Sequence, residues 1–386
     1  MFQQRLDDLA HRSLLRRLRT IESASDAAVT IDGRSLILMA SNNYLGLAAH
    51  PAVKRAAIQA TERYGVGAGA ARLVSGTLPP HEELETELAK FKGTEAALVF
   101  GSGYLANLGV IPALIGADGQ IFADRLCHAS LIDGCRLSGA SLRVYRHNDV
   151  EHVKSLLAKR RTARETLIVT DGVFSMDGDL APLPDLIGLA DRYGAQLFVD
   201  DAHGTGVMGA QGRGTVEHFG LEDRVPFHMG TLGKALGTSG AYVAGPAAVI
   251  TYLINTARTF LFATAPPPAT AAATIAALQI VRTDPARRAR LWENRHYLFA
   301  GLTRLGFRLT DSASPILPIV VGDAQKTIAM ADRLLDLGVY APAIRPPTVP
   351  KETSRIRATV TSEHSRTQLD QALAAFEQAG REQGVI

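Results

Sequence analysis

Cysteine and tryptophan are nearly missing from this chain: 386 residues hold two cysteines, Cys127 and Cys135, and one tryptophan. The cysteines form no Cys-x-x-Cys pair, so no disulfide framework is expected, and a reducing, cytoplasmic setting is. His128 follows Cys127, but no ligand cluster surrounds them, and no metal is expected. An excess of one charge is also absent. Forty-one Lys and Arg face 38 Asp and Glu, a net charge of +3, which leaves no nucleic-acid footprint. Long apolar runs are missing as well. Residues 1–20 have no apolar core of a signal peptide. The stretch from Ala269 to Val281 is too short to span a membrane and follows three prolines, so a buried helix is expected there. The one local excess is basic, at Arg12, Arg16, Arg17 and Arg19. With Asp7 and Asp8 close by, an amphipathic surface helix fits better than a mitochondrial transit peptide.

What the chain has in quantity is hydrophobic residues, 46%, and glycine, 35 copies, the composition of a globular α/β protein. Its length favours two domains. Apolar strand candidates alternate with helical stretches: Ala96–Phe100, Gln120–Ala123, Leu142–Tyr145, Thr166–Thr170, Gln196–Val199, Phe227–Gly230 and Ala241–Ala244. Strands apolar throughout are buried on both faces, so the pattern predicts a mostly parallel seven-stranded sheet covered by helices. Helices are expected over Val53–Arg63, Glu82–Lys92 and Val150–Arg161. After about Pro285 the pattern changes to a smaller α+β domain, with strands Ile316–Val321 and Arg355–Val360 and a helix over Thr327–Leu337. Residues 1–45 then form an N-terminal arm, 46–285 a large domain and 286–386 a small one. Four prolines between Ala341 and Pro350 predict an irregular loop.

In such sheets, ligands bind beyond the carboxyl ends of the strands. Asp200 and His203 follow one apolar strand, and Lys234 follows 34 positions after Asp200 in a glycine-rich turn. An acid, a histidine and a lysine so placed are what a pyridoxal phosphate site requires. The lysine forms a Schiff base with the cofactor aldehyde, and the acid keeps the ring nitrogen protonated. Each residue also has a plainer reading. Asp200 can be a turn cap. His128 can be a hydrogen-bonded loop histidine or a planar group over the cofactor ring. Ser175 can cap its turn or reach the cofactor hydroxyl, and Thr231 can be a buried strand threonine or a phosphate ligand. Gly101-Ser102-Gly103-Tyr104 follows a strand and opens a helix, where backbone amides can meet a phosphate. Two look-alikes fail on context. Gly65 to Ala70 has the dinucleotide spacing but follows a helix rather than a strand. Gly233-Lys234 is followed by Ala235, where a P-loop needs Ser or Thr.

Several segments in order resemble one family: Ser41-Asn42-Asn43-Tyr44-Leu45-Gly46-Leu47, then Gly67 to Gly76, the strand-end motifs above, and Arg355-Ile356-Arg357. Over nearly its whole length the chain resembles the α-oxoamine synthases, pyridoxal-phosphate enzymes of fold type I. The segment Arg345-Pro346-Pro347-Thr348-Val349-Pro350 is similar to the loop of members that condense L-alanine with a pimeloyl thioester. The resemblance implies that reaction, with an acyl carrier protein or coenzyme A as carrier. Another α-oxoamine synthase activity, with a different amino acid or thioester, is the alternative, and a non-catalytic relative a more distant one.

The resemblance also implies roles. Lys234 would carry the cofactor and act as base, His128 would stack on the ring, Asp200 would pair with the ring nitrogen and His203 with the ring oxygen. Gly103, Tyr104 and Thr231 would hold the phosphate, with Ser175 close to the cofactor. Arg357 would bind the amino-acid carboxylate, and Arg16 and Thr348 would face substrate. The family is dimeric with shared active sites, so Thr264 would reach the neighbour's phosphate. Asp201, where relatives often have Glu, is not expected to touch the cofactor.

Overall fold

The computed structural model describes residues 1–11, 14–15, 18–160 and 165–386. They divide into two compact units, one of residues 45–175 and 179–288, the other of residues 1–44, 176–178 and 289–386.

The first unit is built on a seven-stranded sheet. Its strands are β1 (Ala96–Phe100), β2 (Gln120–Asp124), β3 (Ser141–Tyr145), β4 (Thr166–Asp171), β5 (Gln196–Asp200), β6 (His228–Thr231) and β7 (Ala241–Gly245). They lie in the order β1-β7-β6-β5-β4-β2-β3. β2 to β6 pair in parallel, and β7 runs antiparallel to both its neighbours. Side chains alternate faces along a strand, and both faces are apolar. Ile121, Ala123, Leu167, Val169 and Phe198 enter one buried cluster. Phe122, Ile168, Leu197 and Val199 enter another on the opposite face. This is why the strands read as continuous apolar runs.

Five strands run one residue beyond their expected ends, three of them into Asp124, Asp171 and Asp200. Acids are poor strand formers, yet here they are the last rungs of the ladder, and the Asp171 and Asp200 backbones pair in register. The parallel register therefore sets carboxyls side by side at the carboxyl edge of the sheet.

The second unit holds two small sheets. One pairs Ala28–Ile31, Arg34–Leu38 and Val339–Tyr340, and the other pairs Ile316–Gly322, Ser354–Thr359 and Ala343–Ile344. Helices Ala324–Asp336 and Arg366–Glu382 belong to it, the latter started by a capping box between Ser365 and Gln368. The region 341–350 is not wholly irregular. Ala343 and Ile344 sit between prolines but keep their own amides, and they pair with Ile356 and Arg355. Among the described residues no helix is long and apolar enough to cross a membrane.

Candidate active site

The first unit gathers most of the expected site residues at the carboxyl ends of β2, β4, β5 and β6. Asp200 is 3% exposed. Its Oδ1 accepts the amide of Ala202 at 3.0 Å, and its Oδ2 accepts the side-chain N–H of Asn107 at 2.8 Å. The plain reading of this residue is realised, because the carboxylate caps its own turn, and it is also held by the side-chain donor of Asn107. Asn107 comes from α1 (Gly103–Leu114), and its nitrogen also donates to Ser130 Oγ at 2.9 Å. Ser130 Oγ in turn lies 2.7 Å from His128 Nδ1.

The direction of this chain is fixed by chemistry. Asn107 donates through its nitrogen to both Asp200 and Ser130, and His128 Nδ1 accepts the Ser130 backbone N–H at 3.3 Å, so this ring nitrogen carries a lone pair and the Ser130 hydroxyl donates to it. His128 therefore carries its own hydrogen on Nε2. The ring's pKa agrees: partial burial pushes it below the ordinary histidine value, Asp200 opposes this, and Lys234 adds to it. His128 also N-caps α2 (Ala129–Leu137), and its backbone N–H donates to Asp171 Oδ2 at 2.8 Å. Burial, reinforced by neighbouring Asp200, pushes the Asp171 carboxyl well above the usual range.

Lys234 is half-buried in the turn after β6 and lies close enough to influence both His128 and Asp171. That turn needs Gly237, at φ +66°, because a Cβ there would stand 2.3 Å from the backbone nitrogen of Ala48. Thr231, three residues earlier, ends β6 and donates its hydroxyl to Ala202 O at 3.2 Å. Gly103 opens α1, capped by the Ser102 hydroxyl. A Cβ on Gly103 would stand 2.7 Å from Thr231 Cγ2, so only glycine lets the helix start approach this strand end. The Gly103 and Tyr104 amides belong to the first helical turn, where no intrahelical acceptor exists. Tyr104 is 43% exposed, and its hydroxyl donates to Asp133. His203 is buried and Ser175 half-buried. Thr264 is exposed, and its backbone bridges to that of Ala71.

These residues fit pyridoxal phosphate. A glycine-lined helix start with a threonine hydroxyl suits a phosphate, a donor-supported buried carboxylate suits a ring nitrogen that must stay protonated, and a lysine stands within their electrostatic reach. Among the described residues no group of three or more His, Cys, Asp or Glu could hold a metal.

Arg357 and Thr348 belong to the second unit. Arg357 is 6% exposed, and its Nη2 donates to Asn42 Oδ1 at 3.2 Å. The Tyr44 hydroxyl reaches the same oxygen at 3.3 Å. Burial pushes the Tyr44 pKa up, and Arg357 pulls against it. Arg355 is engaged elsewhere, with Nη1 on Asp177 Oδ1 at 2.5 Å and on Met176 O at 3.0 Å. Thr348 is exposed and borders a cavity of about 790 Å³ with Leu15, Arg19, Leu335, Tyr340 and Arg345. Arg16 lies outside the described residues.

Three residues escaped the sequence reading: Asn107, Ser130 and Asp171. Asn107 stands four positions after Gly103, one helical turn along the same face, and Asp171 stands where its strand ends. Either spacing could have raised them.

A site of this kind at the carboxyl edge of this sheet defines a pyridoxal-phosphate enzyme of fold type I. The chain belongs to the aminotransferase class I and II family, whose model matches residues 34–376, and within it to the α-oxoamine synthases. It is 51% identical over 383 residues to a protein from Geobacter sulfurreducens named 8-amino-7-oxononanoate synthase, covering 99% of this chain and 98% of that one. A serine palmitoyltransferase from S. paucimobilis, solved with a bound PLP–myriocin aldimine, superposes with a TM-score of 0.95 at 34% identity, over 100% of this chain and 98% of that one. A Francisella tularensis 8-amino-7-oxononanoate synthase structure gives a TM-score of 0.78 at 30% identity, over 90% and 98% respectively.

Proposed function

We propose that the protein condenses L-alanine with a pimeloyl thioester to 8-amino-7-oxononanoate, releasing CO2 and the free carrier, the acyl-transfer step of biotin biosynthesis. The observation that carries the site is the hydrogen-bonded chain from Asp200 through Asn107 and Ser130 to His128, with Lys234 beside it. Full-length identity of 51% to a synthase of that name supports the choice of substrates.

Bound pyridoxal phosphate supplies an aldehyde for a lysine amine and a ring that accepts the electrons left by a departing proton or carboxyl group. In our reading Lys234 provides that amine and then takes the proton from the alanine α-carbon. Asp200, held by two N–H donors, keeps a proton at the ring nitrogen. His128, fixed as the Nε2–H tautomer by Ser130, covers the ring and offers its remaining N–H towards substrate. His203 and Ser175 flank the ring oxygen. Gly103 and Tyr104 give amides and Thr231 a hydroxyl to the phosphate. Arg357 takes the alanine carboxylate in a charge-assisted pair, a role for which Arg355 is poorly placed because Asp177 occupies it. Thr348, with the cavity beside it, faces the acyl chain, and the family resemblance assigns Arg16 to substrate.

Thr264 reaches the phosphate of a second copy in a homodimer with shared sites. Exposed Val66, Leu73, Val74 and Phe262 lie close to it in sequence or across the Ala71–Thr264 bridge, and an exposed apolar group of this kind suits burial against another chain. We place the reaction in the cytoplasm, with acyl carrier protein or coenzyme A as carrier.

Product analysis tests the reading. Purified holoenzyme is given L-alanine, glycine or L-serine with pimeloyl, acetyl, succinyl or palmitoyl thioesters, each on both carriers. The alanine and pimeloyl pair should give the dominant product. Preference for glycine with acetyl or succinyl thioesters would keep the family and remove the substrate assignment.

A further inference from the structure

Four cationic side chains outside the strand-end site line one cavity of about 390 Å³: Lys90, Arg213, Arg282 and Arg288, with Phe91 and Gln211 beside them. We propose that this cavity is a binding site for a phosphate-class oxyanion.

Arg288 carries the argument. It is 8% exposed, so its charge has been taken out of water. Its Nη2 donates to Ala210 O, but its Nη1 is shielded from solvent with no hydrogen-bond partner. A buried charged donor left unsatisfied is costly, and such a group calls for an acceptor. Burial pushes the Arg288 pKa down and Glu217 only partly opposes this; the Glu217 oxygens are themselves occupied by the amides of Gln211 and Arg213. Arg213 repeats the pattern. Its backbone is fully engaged, with N–H on Glu217 and carbonyl accepting from Lys92, while among the described residues no carboxylate pairs with its guanidinium. Lys90 and Arg282 share Glu87 at 2.8 and 2.5 Å. Four cations thus face two carboxylates, which leaves the cavity short of negative charge.

A tetrahedral oxyanion offers several acceptors at once, and guanidinium forks match it in charge and geometry. Bound between Arg213 and Arg288, it would tie the loop 210–214 to the start of helix Pro285–Arg304. That loop is closed on the segment after His203 by Gly206 N–H to Gly212 O at 2.8 Å and Gly214 N–H to Met208 O at 2.9 Å. An anion here would therefore brace the chain leaving the catalytic strand end.

The test uses holoenzyme saturated with pyridoxal phosphate, so that the cofactor's own phosphate position is filled. Calorimetric titration and thermal unfolding are run with inorganic phosphate, pyrophosphate and adenosine diphosphate, against sodium chloride at matched ionic strength. We expect saturable binding of one anion per chain and a Tm that rises beyond the chloride effect. Arg288→Gln and, separately, Arg213→Ala should each weaken binding roughly tenfold or more, with cofactor absorbance and anion-free kcat unchanged. Response to inorganic phosphate identifies the free anion as the ligand, and response to the nucleotide alone identifies a phosphate ester; either supports the site. If no anion exceeds chloride, or both variants bind like wild type, the proposal is overturned. Should Arg288→Gln fail to fold, Arg213→Ala, at a half-exposed position, decides alone.

Discussion

Asp200 and Asp201 are neighbours in sequence and serve opposite faces of the sheet end. Asp200 turns to Asn107. Asp201 is fully buried, accepts the Thr215 amide and hydroxyl at 2.8 and 2.9 Å, and lies 3.9 Å from Lys92 Nζ. Burial pushes Asp201 up and brings Lys92 down to about 8, the behaviour of a sequestered structural pair. Asp201 anchors the loop that follows through Thr215. Asn107 is the more informative residue. It is fully buried and supplies one donor to Asp200 and one to Ser130. Replacing it with leucine keeps the volume and removes both donors. Asn107→Leu should lose about tenfold or more in kcat, equivalent to ~1.4 kcal/mol, and its pH–rate profile should shift because His128 and Asp200 are no longer linked. A variant with reduced rate but an unshifted profile would assign Asn107 to packing alone.

At the scale of elements, the central parallel strands β2, β4 and β5 were readable because their interiors are apolar on both faces, and the helices because their periodicity is strong. The strand ends were not, since Asp124, Asp171 and Asp200 look like loop residues until a register pairs them. Asn107 looks like a weak helix former, and nothing local marks the acceptors waiting for it from two distant segments. Gly103 was readable as a glycine at a helix start, but its necessity comes from Thr231, which is remote in sequence. Gly103→Ala should push the helix start away from Thr231 and weaken cofactor affinity by roughly tenfold, the effect of about 1–2 kcal/mol of overpacking, read by spectroscopic titration of the apoenzyme.

The loop carrying Ser175 has its own clamp. His147 bridges Asp124 Oδ1 at 3.0 Å and Asp179 Oδ2 at 2.8 Å. Burial of the ring opposes its charge, but the two carboxylates outweigh this and hold its pKa up to about 10, above the ordinary 6.5. A proton held more tightly in the fold than in the unfolded chain stabilises fully below pH 6.5, and that stabilisation is lost as pH rises through about 10. His147→Gln should therefore lower stability by about 2 kcal/mol at pH 6, with the gap from wild type closing towards pH 10. Urea midpoints measured across that range check it, and a gap independent of pH would contradict it.

For the whole molecule, a phosphate contact from Thr264 of a second copy requires a homodimer. Light scattering should give about twice the 41.2 kDa chain mass, and Thr264→Ala should weaken cofactor retention without dissociating the dimer. An active, strictly monomeric protein would contradict the shared site. The reading of the molecule as a decarboxylating acyltransferase rests before all else on Lys234, and one measurement reaches it directly. Holoenzyme is reduced with borohydride, digested and mapped by mass spectrometry. The account predicts loss of the cofactor's visible absorption and a reduced pyridoxyl phosphate adduct on the peptide containing Lys234, with none on other lysines. An adduct at a different lysine, or alanine turnover that persists in Lys234→Ala with its visible absorption intact, would contradict it.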